Sequence, residues 1–174
     1  MKKLKKGQRG FSLVELVIVV ALAGLVGAAI TATAFQVFTF STRLSNQMTA
    51  VRQVQQAGFW VSPDVMMAQN VTPGGSPTTF LTLNWTVNGI NYGVIYSLEG
   101  TGTLKTLQRK YYVNSNLTST TTVAQYISYP TGTSIVPNQP CSSPNCSAYN
   151  FTVTATVGGQ TETRVYEVKP RPGT

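Results

Sequence analysis

The sequence predicts an α+β fold, in which one long N-terminal α-helix packs on an antiparallel β-sheet head. Apolar residues recur with helical spacing from residue 11 to about residue 61. From Thr79 onwards the apolar residues alternate with a period of two, and turn signals such as Asn88-Gly89 separate the alternating segments. The helix comes first and the strands follow it, which is an α+β order.

The first half of the helix is apolar on every side. Leu13 to Ile30 contains 18 residues, all aliphatic or glycine except Glu15. This length is at the lower end for a helix that spans a membrane. The five basic residues before residue 10 predict a cytoplasmic N-terminus by the positive-inside rule. A carboxylate costs about 2.5–3.5 kcal/mol at the bilayer centre, which indicates that Glu15 has a function.

A conventional secretory signal peptide is an alternative for this segment. Ala32-Thr33-Ala34 matches an Ala-x-Ala cleavage site, and cleavage there would start the mature chain near Phe35. The apolar segment is, however, longer than the usual 7–15 residues, and it contains an acidic residue. The interpretation as a membrane-spanning helix is therefore favoured, with the secretory alternative left open.

The second half of the predicted helix is amphipathic. Its apolar residues fall at steps of three, four or seven and form one stripe: Val37, Phe40, Leu44, Met48, Val51, Val54 and Val61. Ser62-Pro63-Asp64 predicts the end of the helix at about Val61, with a short separate helix over residues 65–68. The predicted organisation is a leader over 1–10, a long helix over 11–61 with its membrane-spanning part at about 11–33, and a β-rich head over 62–174.

The segment Gly10-Phe11-Ser12-Leu13-Val14-Glu15 resembles the signature of the type IV pilin superfamily, which includes pilins, minor pilins and the pseudopilins of type II secretion. The resemblance implies that a prepilin peptidase cuts between Gly10 and Phe11 and methylates the new amine of Phe11. It also implies that Glu15 pairs with the N-terminal amine of a neighbouring subunit during assembly. A chance polar residue near the interfacial end of the helix is the alternative for Glu15.

The resemblance also implies partners and a location. The expected partners are other pilin or pseudopilin subunits, the prepilin peptidase, the cytoplasmic membrane and an assembly platform. The chain is expected to lie in the cytoplasmic membrane with its head outside, and then in an extracellular or periplasmic filament. Ala32 stands where major pilins commonly carry a proline, which favours a minor pilin or pseudopilin. A weaker resemblance to J-class tip pseudopilins involves residues 57–64 and 123–127.

The head is predicted to contain four to six strands whose apolar face packs on the amphipathic end of the helix. Six segments carry the strand pattern: 80–87, 90–98, 103–113, 123–128, 149–157 and 161–168. Residues 73–77 and the Ser/Thr-rich stretch after Val113 are predicted to be loops. Cys141 and Cys146 are predicted to form a disulfide that closes a small loop, with free thiols as the alternative. Pilins often carry a disulfide near the C-terminus, so the resemblance agrees.

Catalysis is not expected. The chain has no histidine, and the carboxylates other than Glu15 are scattered along the sequence at Asp64, Glu99, Glu162 and Glu167. No cofactor or metal site is predicted. Without the leader the chain has eight basic and five acidic side chains, a net charge of +3, which is too small to imply nucleic-acid binding.

Two further functions remain open at the level of sequence. The first is a DNA-uptake or adhesion module on such a filament, for which the basic-aromatic residues Lys105, Arg109, Lys110, Tyr111 and Tyr112 are the candidates. A solvated strand face is the favoured interpretation of these residues. The second is a secreted or membrane-anchored domain that is unrelated to filaments.

Overall fold

A computed structural model describes residues 12–138 and 147–171 of the chain. One helix, α1 (Leu13–Met67), is followed by antiparallel strands, which confirms the predicted α+β architecture. Eight strands are described: β1 Asn70–Ser76, β2 Thr79–Val87, β3 Ile90–Glu99, β4 Leu104–Val113, β5 Asn116–Ser128, β6 Ser134–Pro137, β7 Tyr149–Val157 and β8 Gln160–Val168. The helix passes from a first compact unit, which ends at Thr42, into a second unit, which begins at Arg43.

The strands of the second unit form one antiparallel sheet in the order β1-β2-β3-β4-β5-β7-β6, and β8 pairs with β7. The predicted hairpin at Asn88-Gly89 joins β2 to β3, and Val87 pairs with Ile90 across it. Asn88 and Gly89 have φ values of 53° and 77°, which are the left-handed values that a two-residue type I′ turn requires. The last hairpin, β7 to β8, is also where the sequence pattern predicts it.

The core of the second unit lies between one face of the sheet and one stripe of α1. The predicted stripe is wrong in its first part, because Val37, Phe40, Leu44 and Met48 are exposed. The buried stripe consists mainly of smaller residues: Ala50, Val54, Ala57, Gly58, Val61, Asp64 and Val65. Small residues allow the sheet to approach closely. A Cβ at Gly58 would lie 2.2 Å from Cζ of Tyr166, so no side chain fits there.

The predicted helix end at Val61 is also wrong. The helix continues through Pro63 to Met67, so residues 65–67 of the predicted separate helix belong to its last turn and Ala68 lies just beyond it. Proline inside a helix costs about 3 kcal/mol because its ring clashes with the preceding turn and one hydrogen bond is lost. Asp64 and Val65 are buried against the sheet, and this packing outweighs the local preference.

Two strands and part of a third were not predicted. β1 covers residues 73–76 of the predicted 73–77 loop, and its one proline, Pro73, is tolerated because β1 is an edge strand. β5 begins at Asn116 rather than Val123, because the β-branched threonines of this polar stretch are good strand formers. β6 is a short strand that pairs with β7. The predicted Cys141–Cys146 disulfide lies outside the described residues.

Candidate assembly and membrane-anchoring helix

The candidate functional site begins at the N-terminal end of α1. Ser12 precedes the helix, and the backbone N–H of Leu16 donates a hydrogen bond to the Ser12 carbonyl at 3.2 Å. Glu15 lies in the first turn. Ser12 and Glu15 have the spacing of a capping box, in which the two side chains satisfy free backbone N–H groups at a helix start. Gly10 and Phe11, the predicted processing residues, lie outside the described residues.

The carboxylate of Glu15 is exposed. In the part of the chain that the structure describes, it forms no ion pair or side-chain hydrogen bond. The positive end of the helix dipole favours an acidic side chain at this place. In an apolar environment, however, an unpaired carboxylate remains costly unless a cation joins it. The side chain is therefore free to bind a cation that another molecule provides.

Around and beyond Glu15 the helix presents an extensive apolar surface. The large apolar residues from Leu13 to Phe40 are 54–78% exposed. Soluble monomers rarely expose contiguous apolar patches larger than a few hundred square ångströms. Within the described residues, α1 is the one helix that is long and apolar enough to cross a membrane, by length and composition. The surface requires a lipid or protein environment.

The threonines of this helix are compatible with such an environment. The Oγ1 atoms of Thr31, Thr33 and Thr39 each donate a 2.9 Å hydrogen bond to the carbonyl four residues earlier. A hydroxyl that is satisfied within its own helix loses little when water is removed. Ala29, Thr33 and Ala34 line a shallow apolar groove on the helix surface, and small residues of this kind let a second helix approach closely.

In the second unit, a buried polar cluster joins the end of α1 to the sheet. Asp64 accepts hydrogen bonds from Nε and NH2 of Arg109, at 2.6 Å and 2.9 Å, and from the Tyr96 hydroxyl at 2.5 Å. The Arg109 guanidinium also lies 5.5 Å from the ring centroid of Trp60 and 5.1 Å from that of Tyr111. Burial, reinforced by the charge of Asp64, raises the pKa of Tyr96 far above its usual value.

Sequence reasoning missed this cluster. In the sequence, Asp64 is one of several scattered carboxylates and Arg109 is part of a basic-aromatic group. The two residues are 45 positions apart, and no local pattern connects them. The hydrogen bonds that Arg109 donates to Asp64 raise the pKa of Arg109, so the guanidinium remains charged. The cluster holds the helix end on strands β3 and β4.

The cations of the predicted basic-aromatic group are all engaged within the chain. Besides the Arg109–Asp64 pair, Nζ of Lys110 lies 3.0 Å from Oε1 of Glu99, and Nζ of Lys105 donates to the carbonyl of Gly100. The hydrogen bond from Lys110, with another from Ser97, lowers the pKa of Glu99. The predicted solvated strand face is therefore wrong for Arg109, which belongs to the buried cluster. None of the three cations is left as part of a free cationic patch for DNA.

The head carboxylates are not brought together by the fold. Asp64, Glu99, Glu162 and Glu167 each pair with a different cation: Arg109, Lys110, Arg164 and Lys169 respectively. Among the described residues, no group of three or more His, Cys, Asp or Glu side chains could hold a metal ion. Cys141 and Cys146 lie outside the residues to which this statement applies.

Comparison with known proteins identifies the N-terminal segment. Residues 5–31 match the family model of the prokaryotic N-terminal methylation motif, and the matched segment includes Gly10, Phe11 and Glu15. Nothing among the curated proteins or the solved structures matches the chain. The motif, followed by one long helix and an antiparallel sheet, supports a type IV pilin-like protein. Proteins with this motif are in general structural rather than enzymatic.

Proposed function

We propose that the chain is a non-catalytic subunit, a minor pilin or pseudopilin, of a type IV pilus or a type II secretion pseudopilus. The observation that carries the proposal is the methylation motif at residues 5–31, which begins a helix whose apolar surface is exposed. A membrane covers such a surface before assembly, and neighbouring helices cover it in a filament. The unpaired Glu15 at the start of this surface is the recognition element.

Processing is the first step of the proposal. Prepilin peptidase cuts between Gly10 and Phe11, and the new amine of Phe11 is methylated. The small side chain of Gly10 admits the backbone to the peptidase. The division into a leader over 1–10, a helix that begins at residue 11 and a β-rich head belongs to the same proposal. The N-terminus lies on the cytoplasmic side of the membrane and the head on the other side until the subunit enters the filament.

Assembly depends on Glu15 in this proposal. The Phe11 amine of a neighbouring subunit is a cation, and in a bundle of apolar helices it attracts the carboxylate strongly. Because leaving either charge unpaired is costly, the pair favours one register between adjacent subunits. The apolar groove at Ala29, Thr33 and Ala34 supports close contact with a neighbouring helix.

A minor pilin or pseudopilin is preferred over a major pilin because the apolar half of the helix contains no proline. Residues 13–67 form one helix whose internal proline is Pro63, near the opposite end from the apolar segment. The DNA-uptake alternative is less favoured, because Lys105, Arg109 and Lys110 are engaged within the head. Oxidation of Cys141 and Cys146 to a disulfide is retained as part of the proposal and is tested by mass spectrometry without reduction.

Mass spectrometry of the mature N-terminus in the native host tests the proposal. The expected result is a chain that begins at N-methylated Phe11 in membranes and in sheared filament fractions. A chain that begins near Phe35 would establish the secretory alternative and overturn the proposal. A chain that retains residues 1–10 in all fractions would also overturn it. A Gly10→Val variant is the control, because it is expected to remain uncut and unmethylated.

A further inference from the structure

A pocket of about 290 Å³, lined by amide and hydroxyl side chains together with Ile95 and two tyrosines, lies mainly on the face of the sheet opposite the core. Asn84 on β2 pairs with Gly93 on β3, and Gly93 pairs with Tyr112 on β4. The neighbours of these residues along the strands, such as Leu83 and Val94, are buried in the core. Because side chains alternate between the two faces of a strand, Asn84, Gly93 and Tyr112 face away from the core. Tyr92 also lines the pocket, but it packs against the core from the other face of β3.

A glycine forms the floor of this pocket. A Cβ at Gly93 would lie 3.1 Å from Oδ1 of Asn84 and 3.7 Å from Cβ of Tyr112. The missing side chain leaves a depression between an amide and a tyrosine on neighbouring strands. Gly93 lies within β3, and it is not one of the glycines with a positive φ. Glycine matters at this position because it leaves space, and not because it allows an unusual backbone conformation.

Hydrogen bonds fix the amide at one end of the pocket. The hydroxyl of Thr86 donates to Oδ1 of Asn91 at 2.8 Å, and the backbone N–H of Asn91 donates to Oδ1 of Asn114 at 3.1 Å. The side-chain carbonyl of Asn91 is therefore occupied, and its NH2 group is available to a ligand. Thr82 and Ser115 add hydroxyl groups to the lining.

The turn that carries Ser115 is strained. Asn114 and Ser115 form the two-residue turn between β4 and β5, with φ values of 48° and 66°. The second position of such a turn favours glycine, as the Asn88-Gly89 turn at the same end of the sheet illustrates. A serine in the left-handed region costs stability, and this serine is one of the residues that line the pocket.

We propose that this pocket binds one uncharged saccharide unit. Sugars present several hydroxyl groups to amides and hydroxyls, and an apolar C–H face to an aromatic ring such as that of Tyr112. No charged side chain is among the described residues that line the pocket, so it offers no partner to an anion. An apolar ligand would leave the amides of Asn84 and Asn91 unpaired. The volume is at the lower end of ligand pockets, about 300 Å³, and suits a single ring.

The test is saturation-transfer NMR and titration on the full chain in a detergent without a sugar headgroup. The probes are methyl glycosides of glucose, galactose, mannose and N-acetylglucosamine, with N-acetylneuraminic acid as the charged comparison. We expect millimolar binding of at least one uncharged glycoside and no binding of the anion. A glycan array then distinguishes a free sugar from the end of a longer chain, which would bind more tightly.

Two variants test the pocket with small changes of side chain. Gly93→Ala places a methyl group on the floor, and Ser115→Gly removes a hydroxyl while relieving strain. We expect Gly93→Ala to weaken glycoside binding at least fivefold. Ser115→Gly should raise the melting temperature by a few degrees and still weaken binding. Gly75→Ala is the control, because a Cβ there meets nothing within 4 Å. Absence of glycoside binding, or equal binding by all these proteins, overturns the proposal, which does not depend on filament assembly.

Discussion

Arg109 on β4 binds the carboxylate of Asp64 on α1 with two of its nitrogens, at 2.6 Å and 2.9 Å. Asp64 is the residue immediately after Pro63, at the point where the sequence predicts that the helix ends. The pair thus explains why the helix reaches Met67. A buried carboxylate needs its partners, and Arg109 and Tyr96 can reach it only if the last helical turns lie against the sheet.

Arg109→Met is expected to destabilise the head strongly. The variant keeps the apolar length of the side chain but leaves Asp64 buried without its cation, and breaking a buried pair costs about 3–5 kcal/mol. Urea unfolding of the full chain in detergent, followed by tryptophan fluorescence, measures the change. Lys110→Met is the matched control on the same strand, since Lys110 pairs with an exposed glutamate and little change is expected. Equal losses in the two variants would contradict the assigned importance of the buried pair.

Stability is expected to fall at alkaline pH because of Tyr96. Burial and the charge of Asp64 raise the pKa of Tyr96 in the folded state above its unfolded value of 10.0. Below pH 10 the Tyr96 hydroxyl is protonated in both the folded and the unfolded state, so its contribution to stability is fully present. Above pH 10 the unfolded state releases the proton first, so stability declines by up to about 1.4 kcal/mol per pH unit. Urea unfolding between pH 8 and about 11 measures this decline.

Tyr96→Phe provides the comparison for the alkaline decline. The variant is expected to be less stable at pH 8, because the carboxylate of Asp64 loses one hydrogen bond. Its decline above pH 10 should be shallower than that of the parent chain, since one group no longer titrates. Parallel pH profiles for the two proteins would show that Tyr96 does not contribute.

Local patterns predicted the fold class, and long-range contacts account for what they missed. Helical spacing, alternation and the Asn88-Gly89 turn are properties of adjacent residues, so the helix, its order before the sheet and that hairpin could be read from sequence. The buried stripe could not, because Ala50, Ala57 and Gly58 carry a weaker apolar signal than the exposed Phe40 and Leu44.

The residues of the candidate site also divide into those that a local sequence pattern reveals and those that it does not. Glu15 stands out locally, since it interrupts an apolar segment, and its exposed place in the first turn is compatible with the role proposed for it. The Asp64–Arg109 pair has no local signal. The glycine floor at Gly93 also has none, because its neighbours Asn84 and Tyr112 come from two other strands.

Gly58→Ala is expected to loosen the contact between α1 and β8. The added methyl group would overlap the ring of Tyr166, whose hydroxyl donates a 3.1 Å hydrogen bond to the carbonyl of Val54. Overpacking of this kind costs about 1–3 kcal/mol, measured by urea unfolding of the full chain in detergent. A Cβ at Gly75 would lie in open space. Gly75→Ala should therefore leave the free energy of unfolding unchanged or raise it by up to about 1 kcal/mol. A Gly58→Ala chain as stable as the parent would contradict the close approach.

Substitutions of Glu15 are expected to distinguish the effect of its charge from the effect of its position at the start of the helix. Glu15→Val should insert into the membrane and be processed, but its incorporation into filaments should fall at least about tenfold, which corresponds to a loss of about 1.4 kcal/mol of pairing energy. Quantitative immunoblots of sheared filaments against membranes measure the ratio, and mass spectrometry of the N-terminus verifies processing.

Glu15→Gln is the decisive comparison, because glutamine keeps the length of glutamate and the spacing of a capping box but carries no charge. If the carboxylate pairs with the amine of a neighbouring subunit, Glu15→Gln should be incorporated into filaments as poorly as Glu15→Val. Glu15→Asp should retain part of the incorporation, because it keeps the charge. Normal incorporation of Glu15→Gln would instead assign the residue to capping of its own helix. The charge is therefore tested while the local geometry of the first turn is preserved.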